Sequence, residues 1–451
     1  MSVLAPRHVV LLLYGSRGDV QPGICLGAEL RRRGYRVTAA VPPNLADFAR
    51  SAGLDAVVSI GRDTARQWSS EEALDAQRSR NPLRRIMFAI DTVRDGIAAF
   101  DDALVSALVC DEPSIRGVDL LIAAPLCQAR GLALAERLGV PLAVVRYAPM
   151  SESGVIGPLP GITDHLSAAG KRRSWRCYDR VVWWATRHSE NGFRRRIGLR
   201  AVRTPCADRL TVLQVPQIQA YDPAIASELV AEWARGPAIK PIVGFFELSD
   251  EIRAALGELT DGDTELTRWL AAGEPPVFVG FGSMPVADPL ATRDIIVDAA
   301  RRVGLRCVVA LGGAPQGVVD EVGSDVYHVG AVNHSWLLPR CAAAVHHGGA
   351  GTTAATLRAG IPTVIYSFTA EQPFWAGRVA ALGVGVGRRF SALTPQLAFD
   401  DLTVALSPRV RTNAARLATT MITSDDALRA AADVVESQLS SPAGRYSAGL
   451  S

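Results

Sequence analysis

The sequence predicts an α/β protein built from two doubly wound, parallel-sheet domains. Three observations lead there. Its 451 residues are too many for one ordinary core, and two domains of about 200 residues each are the natural division. Short apolar runs alternate with helix-like segments, the pattern of buried parallel strands joined by crossover helices. After a connection marked by proline and glycine, the same pattern starts again. At 48% hydrophobic and 21% charged residues, the chain has the composition of a packed globular protein.

The elements follow in order. Residues 8–14 read as a fully buried strand. Gly15-Ser16-Arg17-Gly18-Asp19-Val20-Gln21-Pro22 reads as turn and loop, and 23–33 as a helix closed by Gly34. Residues 36–41 form the second strand and 44–52 the second helix, with later strands at 120–123 and 142–146. The connection spans 216–241 and contains Tyr221-Asp222-Pro223 and Gly236-Pro237. The second half has strands at 276–281, 306–311, 326–329, 342–345 and 362–366, a Gly282-Ser283-Met284-Pro285 turn, and a helix over 293–303. The domains are therefore read as 1–237 and 238–424. A helix over 425–439 is placed to cross back onto the first domain, and 440–451 reads as a mobile tail. Ligands of such sheets bind at the carboxyl ends of the strands, so the expected site is a cleft between two Rossmann-like domains facing each other.

One stretch stands out at a strand end: His346-His347-Gly348-Gly349-Ala350-Gly351-Thr352-Thr353. Strand, glycine-rich turn and helix in succession gather free N–H groups and a positive dipole end into one small space. Such a space binds phosphate without a lysine. The glycines admit close approach, and the threonines and histidines add donors.

Other readings are weaker. A dinucleotide fingerprint needs GxGxxG and an acid after the second strand; the chain has Gly15-Ser16-Arg17-Gly18-Asp19 and ends that strand on Ala40-Val41-Pro42-Pro43-Asn44. A Walker loop needs a lysine that 346–353 lacks. Asp261-Gly262-Asp263 has a metal-like spacing but reads as a turn and helix cap, so no metal site is expected. A net charge of +3 provides no field for nucleic acid. Seven scattered cysteines without a CxxC pair fit a reducing compartment. The first residues do not resemble a signal peptide, and no apolar run is long enough to span a bilayer. The expected location is cytoplasmic, with contact to the inner face of a membrane at most.

Three features stay open on the residues alone. Asp19 is either a cap or a carboxylate able to take a proton from a hydroxyl. Glu371-Gln372 is either a solvated helix start or an acceptor–donor pair suited to sugar hydroxyls. The basic, aromatic segment 171–196, with Trp175, Trp183 and Trp184 among arginines, suits a lipid headgroup layer, an acceptor pocket or plain packing.

Four motifs in register, 15–22, 280–285, 346–353 and Glu371-Gln372-Pro373-Phe374-Trp375, resemble the GT-B glycosyltransferases that include sterol glucosyltransferases and glycopeptide-antibiotic glycosyltransferases. The flanking Pro42-Pro43-Asn44-Leu45 and Ile218-Gln219-Ala220-Tyr221-Asp222 are most similar to mycobacterial enzymes that glycosylate cell-envelope glycolipids. The resemblance implies an acceptor-binding first domain and a nucleotide-sugar-binding second domain. It implies inverting transfer of a hexose or deoxyhexose, glucose or rhamnose for example, from a UDP- or dTDP-sugar to a hydroxyl of a hydrophobic acceptor. The nucleotide sugar is a co-substrate, with no cofactor and no metal. Asp19 matches the general base. Ser16, Arg17, Ser283, His346, Gly348, Gly349, Ala350, Gly351 and Thr352 match the diphosphate site, with His346 as the direct phosphate contact. Val332 matches the nucleobase region, and Glu371 with Gln372 the donor-sugar pair, where the family's usual first residue is Asp. A nucleotide-sugar epimerase or hydrolase, or a non-catalytic nucleotide-sugar binder, would use the same loops.

Overall fold

The computed structural model describes residues 6–65, 96, 98–106, 117–160, 162–258, 264–282, 288–310, 325–368 and 371–439. The chain forms two compact units, Met1–Leu248 with Ile422–Ser451, and Ser249–Met421. The division falls later than residue 237 because residues 239–243 pair along the outer edge of the first sheet. Gln217 and Gln219 donate their N–H groups to the Ile239 and Pro241 carbonyls at 2.8 Å each, and Val243 donates to Gln219 at 3.1 Å.

The first unit holds β1 (His8–Leu12), β2 (Arg36–Val41), β3 (Ala56–Ser59), β4 (Val118–Ala123), β5 (Leu142–Arg146) and β6 (Gln217–Gln219). They lie in the order β3-β2-β1-β4-β5-β6, every neighbour parallel. Val10, Leu12, Leu121 and Val144 build the core on one face with Leu134 and Phe193. Helix α1 (Arg17–Arg32) follows β1, and helix α2 (Ala168–Arg196) follows β5.

The second unit holds β7 (Val277–Gly280), β8 (Cys307–Ala310), β9 (Val326–Val329), β10 (Ala343–His346), β11 (Thr363–Ser367) and β12 (Gly385–Arg389), with helices α3 (Ala350–Arg358) and α4 (Gln372–Ala381). Its order is β12-β11-β10-β7-β8-β9, again all parallel. Counted within each half, the two sheets share one strand order, with the chain reversing direction of travel between the first and fourth strands. That switch point is where open α/β sheets bind ligands.

The last helix, α5 (Ser424–Leu439), lies against α1. Arg33 bonds Asp433 at 2.6 Å, Glu436 at 2.8 Å and the Arg429 carbonyl at 3.0 Å. Buried Asp222 accepts from the Ile422 N–H at 2.8 Å and fixes the return of the chain. The tail over 440–451 lies outside the described residues.

Two element readings change. The loop over 15–22 is mostly helix: α1 starts at Arg17 and carries Pro22 inside it. Strands β6 and β12 had no apolar run to announce them, being Gln-Ile-Gln and Gly-Val-Gly-Arg-Arg. Their neighbours and the sheet edge supply what local sequence lacks.

Candidate functional site

The second unit's switch point is made by the turns after β7 and β10. The helix behind the second turn, α3, starts on Gly349, which has no side chain to cap it. The first N–H bonded along the helix is Thr353, to the Gly349 carbonyl at 2.9 Å. The N–H groups of Gly349, Ala350, Gly351 and Thr352 donate to no described group. Four bare donors at a helix start have the chemistry to receive an anion. Gly348, at φ +89, is different: its N–H donates to His346 Nδ1 at 3.0 Å.

That bond settles the roles of the two histidines. His346 is fully buried. With Nδ1 accepting from Gly348, its proton sits on Nε2 and is donated to Thr363 Oγ1 at 2.7 Å. Both ring nitrogens are engaged inside the unit. Through these bonds His346 braces the turn and holds the Gly348 N–H. His347 is half-buried beside the turn. It makes a backbone hydrogen bond at Gly280, and its Nδ1 is buried with no partner. A Cβ on Gly349 would lie 2.6 Å from His347 Nε2, so that glycine makes room for the ring. Burial pushes the His346 ring well below its usual value and His347 down to about 4. Both are neutral at pH 7, and the site's attraction for anions comes from N–H groups and dipole.

The first unit's switch point is closed in another way. Asp19 sits at the third position of α1, and its Oδ2 accepts from Ser16 N at 2.7 Å and Ser16 Oγ at 2.8 Å. Its Oδ1 accepts from the hydroxyl of Tyr147, just beyond β5. Gly15, at φ +127, permits this packing, because a Cβ there would lie 2.4 Å from Asp19 Oδ2. Thr64 Oγ1 donates to the Gly15 carbonyl at 2.9 Å and holds the turn. Burial raises the Asp19 carboxyl above its ordinary value; the bonds from Tyr147 and Ser16 pull it back only in part. Asp19 is therefore both a cap and a carboxylate of raised proton affinity. Ser16 and Arg17 do not stand free as phosphate ligands. Ser16 serves Asp19, and the Arg17 guanidinium reaches Gln21 at 3.2 Å and the Phe48 ring at 4.9 Å.

Beyond β11, Gln372 is buried and its Oε1 accepts from Phe368 N at 2.8 Å. Phe368 stacks on Phe390 at 4.1 Å, which fixes the loop. Gln372 thus shapes the turn, and Glu371, partly exposed at the start of α4, is the more accessible of the pair. The Val332 side chain packs inward with Tyr327 and Trp336. Ser283 and Asp261-Gly262-Asp263 lie outside the described residues. Tyr147 was not foreseen as a partner of Asp19. Tyr147 carries no local motif, and only the β1-β4-β5 order brings it to Asp19.

Comparison with known proteins agrees with the fold. Residues 9–155 match the family described as glycosyltransferase family 28 N-terminal domain. Residues 294–437 match the erythromycin biosynthesis protein CIII-like C-terminal domain. The chain is 36% identical over 428 residues to an uncharacterized glycosyltransferase of Mycobacterium tuberculosis (strain ATCC 25618 / H37Rv), covering 95% of this chain and 98% of that protein. It is 32% identical over 395 residues to a sterol 3-beta-glucosyltransferase of Arabidopsis thaliana, covering 85% of this chain and 58% of that protein. In fold it is similar to the calicheamicin glycosyltransferase CalG4, with a TM-score of 0.67 at 19% identity, 98% of this chain and 100% of that chain being covered. It is similar also to the glycosyltransferase VinC in complex with dTDP, with a TM-score of 0.60 at 18% identity, covering 96% of this chain and 100% of that chain.

Proposed function

Because the chain belongs to the GT-B glycosyltransferases, we propose that it transfers a hexose or deoxyhexose, with inversion, from a UDP- or dTDP-sugar to a hydroxyl of a hydrophobic acceptor. The observation that carries the reading is the set of four unpartnered N–H groups over Gly349, Ala350, Gly351 and Thr352. In the proposed reaction the bond between the anomeric carbon and the diphosphate oxygen breaks as the acceptor oxygen attacks. Negative charge grows on the leaving diphosphate, and fixed donors facing it lower the barrier as an oxyanion hole does. His347 lies beside those donors.

Asp19 takes the acceptor's proton. Its raised proton affinity supports that role, since a base works best when its pKa approaches the working pH. Glu371 holds donor-sugar hydroxyls, with Gln372 fixing the loop that presents it. Ser283 and the loop around Val332 complete the donor site by family resemblance. The acceptor class follows from the likeness to a protein named as a sterol glucosyltransferase. The uncharacterized mycobacterial relative adds no acceptor of its own.

The test has two parts. A thermal-shift series with UDP and dTDP reads nucleotide binding, which at a hundredfold excess over Kd stabilises the native state by about 2.7 kcal/mol. Turnover of UDP- and dTDP-glucose and -rhamnose, with sterol and phenolic acceptors, reads transfer. Asp19→Asn is expected to keep the nucleotide shift and lose transfer; unchanged turnover would remove Asp19 from the mechanism. Donor consumption at the same rate without any acceptor would point instead to a hydrolase or epimerase.

A further inference from the structure

Helix α2 is inverted in its polarity. It runs for 29 residues, about 44 Å, over the first unit. Its inner side is held by Trp175, Glu190, Phe193 and Arg194, all buried. The Trp175 indole donates to the Ile156 carbonyl at 2.7 Å, and Glu190 is bonded by Arg209. A helix lying on a domain should turn a polar face outward. Here the outward positions are Cys177, Val181, Trp184 and His188, at helical spacing, with Tyr178, Val182 and Ala185 beside them. Trp184 is 68% and Val181 59% exposed.

A row of arginines runs along one edge of this stripe. Arg173, Arg180 and Arg187 recur every seven residues, and all three are exposed. None makes an ion pair with a described residue. The arginines nearer the body are paired: Arg172 with Glu232 at 2.6 Å and Arg176 with Glu152 at 2.9 Å. The helix's two acids both face inward, Glu190 against Arg209 and Asp179 in the field of Arg146. The outer face therefore combines apolar groups with uncompensated positive charge. Nucleic acid or an acidic peptide would satisfy the arginines and leave Trp184 and Val181 in water. An interface of anionic headgroups over acyl chains satisfies both. In the segment before the helix, Ile162 is also 68% exposed. Among the described residues no helix is long and apolar enough to cross a membrane, so the fit is to the surface of a bilayer.

We propose that the outward face of α2 docks this protein on an anionic lipid surface. Trp184, Val181 and Tyr178 enter the boundary between headgroups and acyl chains, and Arg173, Arg180 and Arg187 pair with lipid phosphates. A hydrophobic acceptor would then be met in the layer that holds it.

Co-sedimentation with vesicles tests this directly, using phosphatidylcholine alone and phosphatidylcholine mixed with phosphatidylglycerol. Binding is expected only to the mixed vesicles, weakening as salt rises. Each arginine removed should weaken it about fivefold, so R173Q/R180Q/R187Q should lose on the order of a hundredfold. V181S/W184S should lose binding while keeping the nucleotide thermal shift, which shows that the variant is folded. The readout needs no turnover, so its failure leaves the transfer reading untouched. Absent binding, equal binding to both vesicles, or full binding by V181S/W184S overturns the proposal. So does self-association in solution that V181S/W184S abolishes without any vesicle binding, which would make this face a contact between two copies.

Discussion

The two sheets share one strand order, yet they close their switch points in opposite ways. In the first, α1 starts on Ser16, whose N–H and hydroxyl both donate to Asp19. A carboxyl in the first turn of the helix bonds back to its own cap residue. In the second, α3 starts on Gly349, and four N–H groups are left without a partner. The same topology therefore yields a carboxyl group at one switch point and a set of bare N–H donors at the other. The residue at the helix cap, not the fold, decides which. Glycosyl transfer needs both, a proton acceptor and a place for the leaving diphosphate.

The sharpest break in this contrast is at Asp19. Asp19→Asn keeps the shape and removes the base, and transfer should fall by about 10²- to 10⁴-fold. Steady-state kcat measures it. Stability should move the other way. The native carboxyl binds its proton more tightly than the usual 3.8, so the native state loses stability as pH rises from there through the raised value. Wherever it is ionised the group is therefore a cost, and a neutral Asn should give an equal or higher Tm.

The next test converts the second switch point into a copy of the first. Gly351 has open space where a Cβ would stand. Gly351→Asp puts a carboxylate against the bare donors of α3. A negative group in a first helical turn stabilises by about 0.3–1 kcal/mol. The variant should therefore melt no lower than the wild type, yet lose its response to UDP or dTDP. A preserved nucleotide shift would show that these N–H groups are not where diphosphate binds.

Much of this was legible in the sequence. Alternating apolar runs announced both sheets, and the order strand, glycines, helix over 343–358 announced the uncapped helix start. What the sequence hid is long-range. Gly15 and Asp19 are four residues apart, but the third partner, Tyr147, comes from another strand. The exchange of roles between His346 and His347 depends on which ring faces Thr363 across the β10–β11 pair. Adjacent residues of a strand point to opposite faces, and apolar pattern gives no sign of which histidine points inward.

Tyr147→Phe sharpens the comparison from the partner's side. Its hydroxyl donates to Asp19 Oδ1, and that bond holds the carboxyl down against burial. Removing it should raise the Asp19 pKa further. The acid limb of the rate profile should then move to higher pH, with kcat at neutral pH down about tenfold and donor KM little changed, in line with the loss of one charge-assisted hydrogen bond. A profile that falls in height but keeps its limb would reduce Tyr147 to packing.

Ser16→Ala should give the smallest effect, and it separates capping from catalysis. The backbone N–H of Ser16 stays, so Asp19 keeps one of its two bonds from this residue. Loss of the hydroxyl should cost about 1 kcal/mol as a cap, a fall in Tm of roughly 2–4 °C for a unit of this size. The same loss raises the Asp19 pKa, less than Tyr147→Phe does, because the Tyr147 bond is the stronger of the two in holding it down. The direction of the pH dependence then identifies the cause. If the hydroxyl acts through the ionised carboxylate, the Tm gap between variant and wild type narrows as pH falls toward the Asp19 pKa, where the charge it supports disappears. If it acts on the helix backbone alone, the gap stays constant with pH. Gly351→Asp, which adds to the second switch point what Ser16→Ala weakens at the first, should show the opposite sign in Tm at neutral pH.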